Sequence, residues 1–178
     1  MERSLIGGQP LFCLDTSVYI QAYRNYYPFD LAPGFWEALK RAAQEGKICS
    51  PITVYDEITE GSQDPLAEWA KTLKDVLFQN PDERVVEEYQ KIVNFVGEQY
   101  HDEHYIREFL SKADPWVVAH ALAHGLTVVT MESLKNEQRN PHSGQIVGKI
   151  KIPNVCRHFK VSWTNTFDLL RQLGVQLR

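Results

Sequence analysis

Four acidic residues stand where apolar runs give way to helical ones, and acids in that setting can share a divalent cation. Asp15 closes the apolar run 11–14, and Glu57 lies in the first helical turns after a second short strand. Asp114 opens a helix ahead of Pro115, and Glu132 follows the apolar run 126–130. Like-charged carboxylates repel and raise one another's pKa, so gathering them requires a compensating charge. Oxygen-only ligands suit Mg²⁺ or Mn²⁺, which can turn a bound water into a nucleophile while neutralising a phosphodiester. The chemistry expected of such a set is hydrolysis without a covalent enzyme intermediate. Each acid also has a structural reading. Asp114 before Pro115 has the form of an N-cap with proline at N1, and Asp15 before Thr16 and Ser17 has the form of a cap for the next helix. Thr53 with Asp56 reads as a capping box that leaves Glu57 free, and Glu132 alone reads as a solvated acid.

The elements that must position these acids alternate along the chain. A strand over 11–14 leads into a helix with Val18, Ile20, Ala22 and Tyr23 at helical spacing. A second helix opens at Pro33, carries Phe35, Trp36, Leu39 and Ala42, and stops at Gly46. A strand over 47–50 and a helix from Thr53 to Gly61 follow. Residues 65–112 repeat apolar positions at three and four and carry no strand signal. A helix from Asp114 to Gly125, a strand over 126–130, a loop over 136–148, a break at Pro153, a short piece over 155–159 and a last helix over 164–174 complete the chain. Strands separated by helices imply an α/β fold, three-layer α/β/α with a central parallel sheet of about four to five strands. In such sheets reactive residues collect outside the carboxyl ends of the strands. The 178 residues suit a single domain over 1–178 with a helical insertion around 65–112.

With 43% hydrophobic and 24% charged residues the composition is that of an ordinary globular protein. No run approaches the roughly 18 apolar residues needed to span a bilayer, and the opening stretch has no run long enough for a signal peptide. A cytoplasmic protein without a membrane partner is expected. Three widely spaced cysteines, Cys13, Cys49 and Cys156, fit buried thiols better than disulfides or a zinc site. The net charge of −4 hides an asymmetry: residues 133–163 sum to +5, leaving −9 for everything else. Lys149, Lys151, Arg157 and Lys160 in that segment are candidate phosphate contacts, against the plainer reading of a solvated loop.

Other residues invite less. His120 and His124 lie four apart on one helix but lack an HExxH pattern, and His101 and His104 sit in a polar stretch. An aspartyl-phosphate reading of Asp15-Thr16-Ser17 lacks the second Asp of an Asp-x-Asp motif. Trp69, Tyr89, Phe95 and Tyr100 fall at helical spacing and read as core.

The segment LFCLDTSVYI resembles the first motif of the PIN-domain nucleases, in which a strand runs into Asp followed by Thr or Ser. KADPWVVAHALAHGLTVVTME is similar to that family's second half-site, and YDEI occupies the place of its helix acid, with Asp56 and Glu60 as alternatives to Glu57. The family more often has Asp at the place of Glu132. The resemblance implies a PIN-like fold like that of VapC-type toxin ribonucleases, with a longer helical middle. It also implies Mg²⁺ or Mn²⁺ held by Asp15, Glu57, Asp114 and Glu132, with Thr16, Ser17 and Thr130 bonding the carboxylates or a metal-bound water. The implied function is a metal-dependent endoribonuclease acting on RNA, either the toxin of a toxin–antitoxin pair or an RNA-processing enzyme, and the implied partners are RNA, a small antitoxin protein and a second copy of the chain. A PIN-like scaffold that binds RNA or protein without cutting is the reading from another class.

Overall fold

Strand β1, Phe12–Leu14, is buried along its whole length, and because successive side chains point to opposite faces, both of its faces must be covered. It is the middle strand of the sheet. The computed structural model describes residues 10–177; the opening residues 1–9, which carry the expectation of no leader, lie outside the described residues. Helix α1 (Thr16–Gln21) follows β1 and widens into a π-helical turn (Ala22–Tyr26) closed by Tyr27 N–H donating to Ala22 O at 2.6 Å. Helix α2 (Pro33–Gln44) starts on its proline, whose missing N–H would be unpaired there anyway, and buries Phe35, Trp36, Leu39, Ala42 and Ala43. Gly46, at φ 69, then turns the chain into β2 (Ile48–Pro51), buried at all four positions.

Helix α3 (Ile52–Thr59) begins directly at the end of β2. This corrects the capping-box reading: the helix is already under way at Thr53, whose hydroxyl is buried without a partner. Helices α4 (Pro65–Thr72) and α5 (Lys74–Leu77) lead into β3 (Phe78–Gln79). That strand corrects the expectation of an unbroken helical stretch; two residues are too few to show a period. Helices α6 (Glu83–Gln99) and α7 (Glu103–Leu110) come next. Helix α8 (Asp114–His124) is buried nearly all round and ends at Gly125, φ 65, before β4 (Thr127–Val129).

The segment read as a loop contains a hairpin, β5 (Gln138–Arg139) with β6 (Ile146–Val147), antiparallel. Its strands were hidden by polar composition; a single bridge between Ile146 and Tyr100, with Gln145 Nε2 donating to Glu98 O at 3.0 Å, fastens it to the end of α6. Pro153 does not break the chain but sits in the first turn of α9 (Ile152–Phe159). Strand β7 (Trp163–Thr164) precedes α10 (Thr166–Gln172), capped by Asn165, whose side chain accepts from Asp168 N–H at 2.9 Å.

The five-stranded sheet has the order β3-β2-β1-β4-β7, parallel throughout, with Cys13 opposite both Cys49 and Val128. The chain moves from β1 to one side through β2 and β3, then crosses to the other side with β4 and β7, so the order reverses between β1 and β4. Helix α8 packs on β1, β2 and β4, and α6 lies along α8. The buried residues of these elements form one hydrophobic cluster, which takes in all three cysteines as free thiols. Among the described residues no helix is long and apolar enough to cross a membrane.

Candidate functional site

A parallel sheet opens a crevice outside the carboxyl ends of its strands where the order reverses, here beyond β1 and β4. Asp15 is the first residue past β1, and its N–H donates to Val129 O at 2.9 Å, locking it to the end of β4. Although it occupies the cap position of α1, its side chain accepts no backbone amide there. Instead Oδ2 accepts from the Ser17 hydroxyl at 2.6 Å and from the Thr130 hydroxyl at 2.8 Å. Both hydroxyls are themselves fixed: Ser17 Oγ accepts from Met131 N–H at 3.0 Å, and Thr130 Oγ1 from Glu132 N–H at 3.1 Å. The residue is 3% exposed. Burial pushes the Asp15 carboxyl up to about 6 despite the two hydroxyl donors, and the charges of Glu132 and Glu57 push the same way.

Asp114 is the first residue of α8, with Ala113 ahead of it already helical, and it makes no side-chain cap bond. The expected N-cap role is absent. Among the described residues no donor meets its carboxylate, which is pushed up to about 8 by burial first and then by the charges of Asp15, Glu132 and Glu57. Asp15 and Asp114 thus lie close enough to feel one another while largely buried, which disfavours ionisation of both.

The two glutamates are engaged differently. Glu57 joins three elements: Oε2 accepts from the Thr16 hydroxyl at 2.5 Å and Oε1 from Ala113 N–H at 2.6 Å, which ties α3 to the starts of α1 and α8. Glu132 Oε2 accepts from Ile152 N–H at 2.8 Å and so caps α9 from outside that helix. A remote acceptor at a helix start should behave like an N-cap, so Glu132→Ala is expected to cost about 1 kcal/mol of stability in urea unfolding. Glu132→Gln keeps an acceptor oxygen and should cost less; an alanine variant as stable as the parent would show that the bond contributes nothing.

Sequence reading brought these four acids forward but missed two residues beside them. Lys112 and Glu108, 3.0 Å apart, line a small recess with Asp114, Glu132 and Lys149. Their only signal was a Glu–Lys pair four apart, which ordinarily marks a solvated helix face. The basic segment is divided. Lys149 lies 3.4 Å from Glu108, and Arg157 is paired with Glu137, which His158 also contacts at 3.0 Å. Lys151 is the cap residue of α9, and Lys160, at φ 57, ends it. His124 binds Asp82 at 2.9 Å, while both ring nitrogens of buried His120 are without partners.

Among the described residues no three His, Cys, Asp or Glu side chains stand close enough to hold one ion together. The donor set nevertheless has the chemistry for a hard cation: two buried carboxylates that repel each other, one of them without a donor, with further acids at hand. Mg²⁺ keeps several waters and often takes only one or two carboxylates from the protein. Asp15 and Asp114 fit that requirement.

A family model described as a domain of unknown function, DUF4411, matches residues 12–177. No curated protein sequence matches the chain. Among solved structures it is similar to VapBC-1 from nontypeable Haemophilus influenzae, with 15% identity over 86% of this chain and 96% of that one and a TM-score of 0.50. It is also similar to VapBC2 from Rickettsia felis bound to a DNA fragment from their promoter, with 15% identity over 86% and 97% of the two chains and a TM-score of 0.46.

Proposed function

The chain belongs to the DUF4411 family and has a PIN-like fold like that in the VapBC-1 structure, and from this premise we propose that it is a divalent-metal-dependent endoribonuclease. The observation that carries the reading is the pair Asp15 and Asp114, brought from distant segments to the crevice at β1 and β4 and both held well above the ordinary carboxylate range. Two buried acids that repel one another store negative charge that a cation relieves.

In this reading Asp15 and Asp114 are the direct ligands of Mg²⁺ or Mn²⁺. When bound, the ion supplies a nucleophilic water at neutral pH and a positive charge for the phosphodiester oxygens. Ser17 and Thr130 hold Asp15 by Oδ2, which leaves Oδ1 for the ion. Glu57 sets the start of α8, and with it Asp114, and Glu132 retains Oε1 to orient a metal-bound water. Lys151 and Lys160, which have no ion pair among the described residues, join Lys149 and Arg157 as contacts to the RNA backbone. The same excess of negative charge suits the toxin of a toxin–antitoxin pair, in which a small antitoxin places a basic side chain among the carboxylates.

The test is cleavage of mixed RNAs by the purified chain with Mn²⁺, with Mg²⁺ and with EDTA. Cleavage with either metal and none with EDTA is expected. A folded chain that binds RNA but cuts none of it with both metals would leave a PIN-like binding scaffold as the reading. Growth arrest on expression of the chain alone, relieved by its genetic neighbour, is expected of a toxin.

A further inference from the structure

Two lysines converge on a single carboxylate oxygen at the edge of the acid cluster. Glu108 Oε1 accepts from Lys112 Nζ at 3.0 Å and lies 3.4 Å from Lys149 Nζ. The lysines arrive from separate segments, Lys112 just after α7 and Lys149 just before α9. Lys149 is placed by its neighbour: Gly148, at φ 92, donates its N–H to Asp102 Oδ2 at 2.7 Å, which anchors the chain to the start of α7. The cluster shares its recess with Asp114 and Glu132.

Stability does not account for it. The three side chains are 29% to 47% exposed, and ion pairs with such exposure contribute about 0.2–1 kcal/mol. Two ammonium groups touching one oxygen also stand close enough together for one phosphate to meet both, since its two free oxygens can each accept a charge-assisted bond of about 2.8 Å. With Glu108 counted, the trio carries a single positive charge, which one phosphodiester neutralises.

We propose that Lys112 and Lys149 form a seat for an RNA phosphate beside Asp114, with Glu108 as the positioning residue that holds the two lysines together. The seat rests on the ribonuclease reading for its place in a reaction, but phosphate binding by it can be measured without cleavage. Glu108 keeps the two ammonium groups from repelling each other apart. It also engages Lys112 in an ion pair of its own, short of a direct pair with Asp114 and Glu132, whose charges the lysine already feels, so that its ammonium stays placed for a phosphate beside them.

Removing Glu108 separates this from a merely solvated charge cluster by sign. If the trio were only surface charge, Glu108→Gln would raise the local positive charge and tighten RNA binding. The seat predicts weaker binding, by about threefold or more, from disorder of the two lysines. The experiment titrates a fluorescent single-stranded RNA with the full chain in EDTA at several salt concentrations, then measures cleavage with Mn²⁺. Lys112→Ala and Lys149→Ala should each weaken binding several-fold and reduce the slope of log K against log salt by about 1. Lys112→Arg should recover part of the loss, and in cleavage Glu108→Gln should raise KM more than it lowers kcat. Binding by Glu108→Gln that equals or exceeds that of the parent, with an unchanged melting temperature, overturns the seat, as does a parent chain that does not bind RNA. If the parent binds and the variants weaken as stated while nothing is cut, the seat stands and the ribonuclease reading falls.

Discussion

Asp15→Asn and Asp114→Asn should each lower metal-dependent RNA cleavage by on the order of 10³-fold or more while leaving the chain folded. Loss of a group that merely orients a ligand costs about 10–100-fold, and loss of the ligand charge itself should exceed that. The fold should survive because asparagine has the shape of aspartate, and at position 15 its amide oxygen can still accept from Ser17 and Thr130. Glu132→Gln should lose less, since its bond to Ile152 N–H needs only a neutral oxygen. Single-turnover cleavage with saturating Mn²⁺ measures all three. A folded Asp15→Asn chain cutting at near-parental rate would sink the metal mechanism.

The second large effect is on stability, and its sign is opposite to that of most substitutions in a core. Asp114, pushed up to about 8 against an ordinary 3.8, binds a proton more readily folded than unfolded. Its contribution is therefore most favourable below about pH 3.8 and is lost as pH rises through about 8. Asp15, at about 6, works in the same direction. His120 opposes them: burial pushes its imidazole down to about 4 from 6.5, so stability from that residue is lost as pH falls from 6.5 to 4. Between about pH 4 and 6 His120 offsets only one of the two aspartates, between about 6 and 6.5 it offsets Asp114, and between 6.5 and 8 the slope of Asp114 stands clear.

The metal-free parent should thus melt lower at pH 8 than at pH 6.5. Asp114→Asn should flatten that decline and melt higher at pH 8, by roughly 5 °C or more if a few kcal/mol are recovered. Loss of a favourable charge at the start of α8 costs only about 0.3–1 kcal/mol and does not reverse the outcome. Mn²⁺ should raise the parent's midpoint, through about 2.7 kcal/mol of added stability at one hundred times its Kd, and should leave the variant's almost unmoved. A parent midpoint indifferent both to pH over 6.5–8 and to Mn²⁺ would count against a cation-holding pair.

Much of the sheet was legible because its elements are punctuated. Apolar runs ended at Asp15 and Thr130, and glycine or proline stood at the ends of α2 and α8, so β1, β2, β4 and their helices could be placed from periodicity. Strands β3 and β7 could not, since two residues define no period and pairing partners set them. The hairpin was hidden for a related reason: Gln138 and Arg139 are exposed, and its fastening to Tyr100 is a tertiary fact. Within the site, residue type and strand-end position brought out the acids. The division between two buried aspartates and two glutamates bonded to backbone amides depends on where α8 and α9 begin, and Asp114 as N1 and Glu132 as a cap for a distant helix lie beyond what one stretch of sequence can show.

The first strand of the described chain is also the middle one of the finished sheet, and this fixes an order of events during synthesis. Strand β2 can pair with β1 soon after both leave the ribosome, but the other edge of β1 stays open until Val129 has been made. At roughly 5–20 residues per second that wait is on the order of ten seconds. Throughout it Asp15 lacks the Thr130 hydroxyl, and neither Asp114 nor Glu132 has been delivered to its side. The candidate site therefore assembles late: the carboxylate pair proposed to hold the cation comes together only after the segment through Thr130 has been translated, so the proposed cleavage activity can arise only near the end of synthesis.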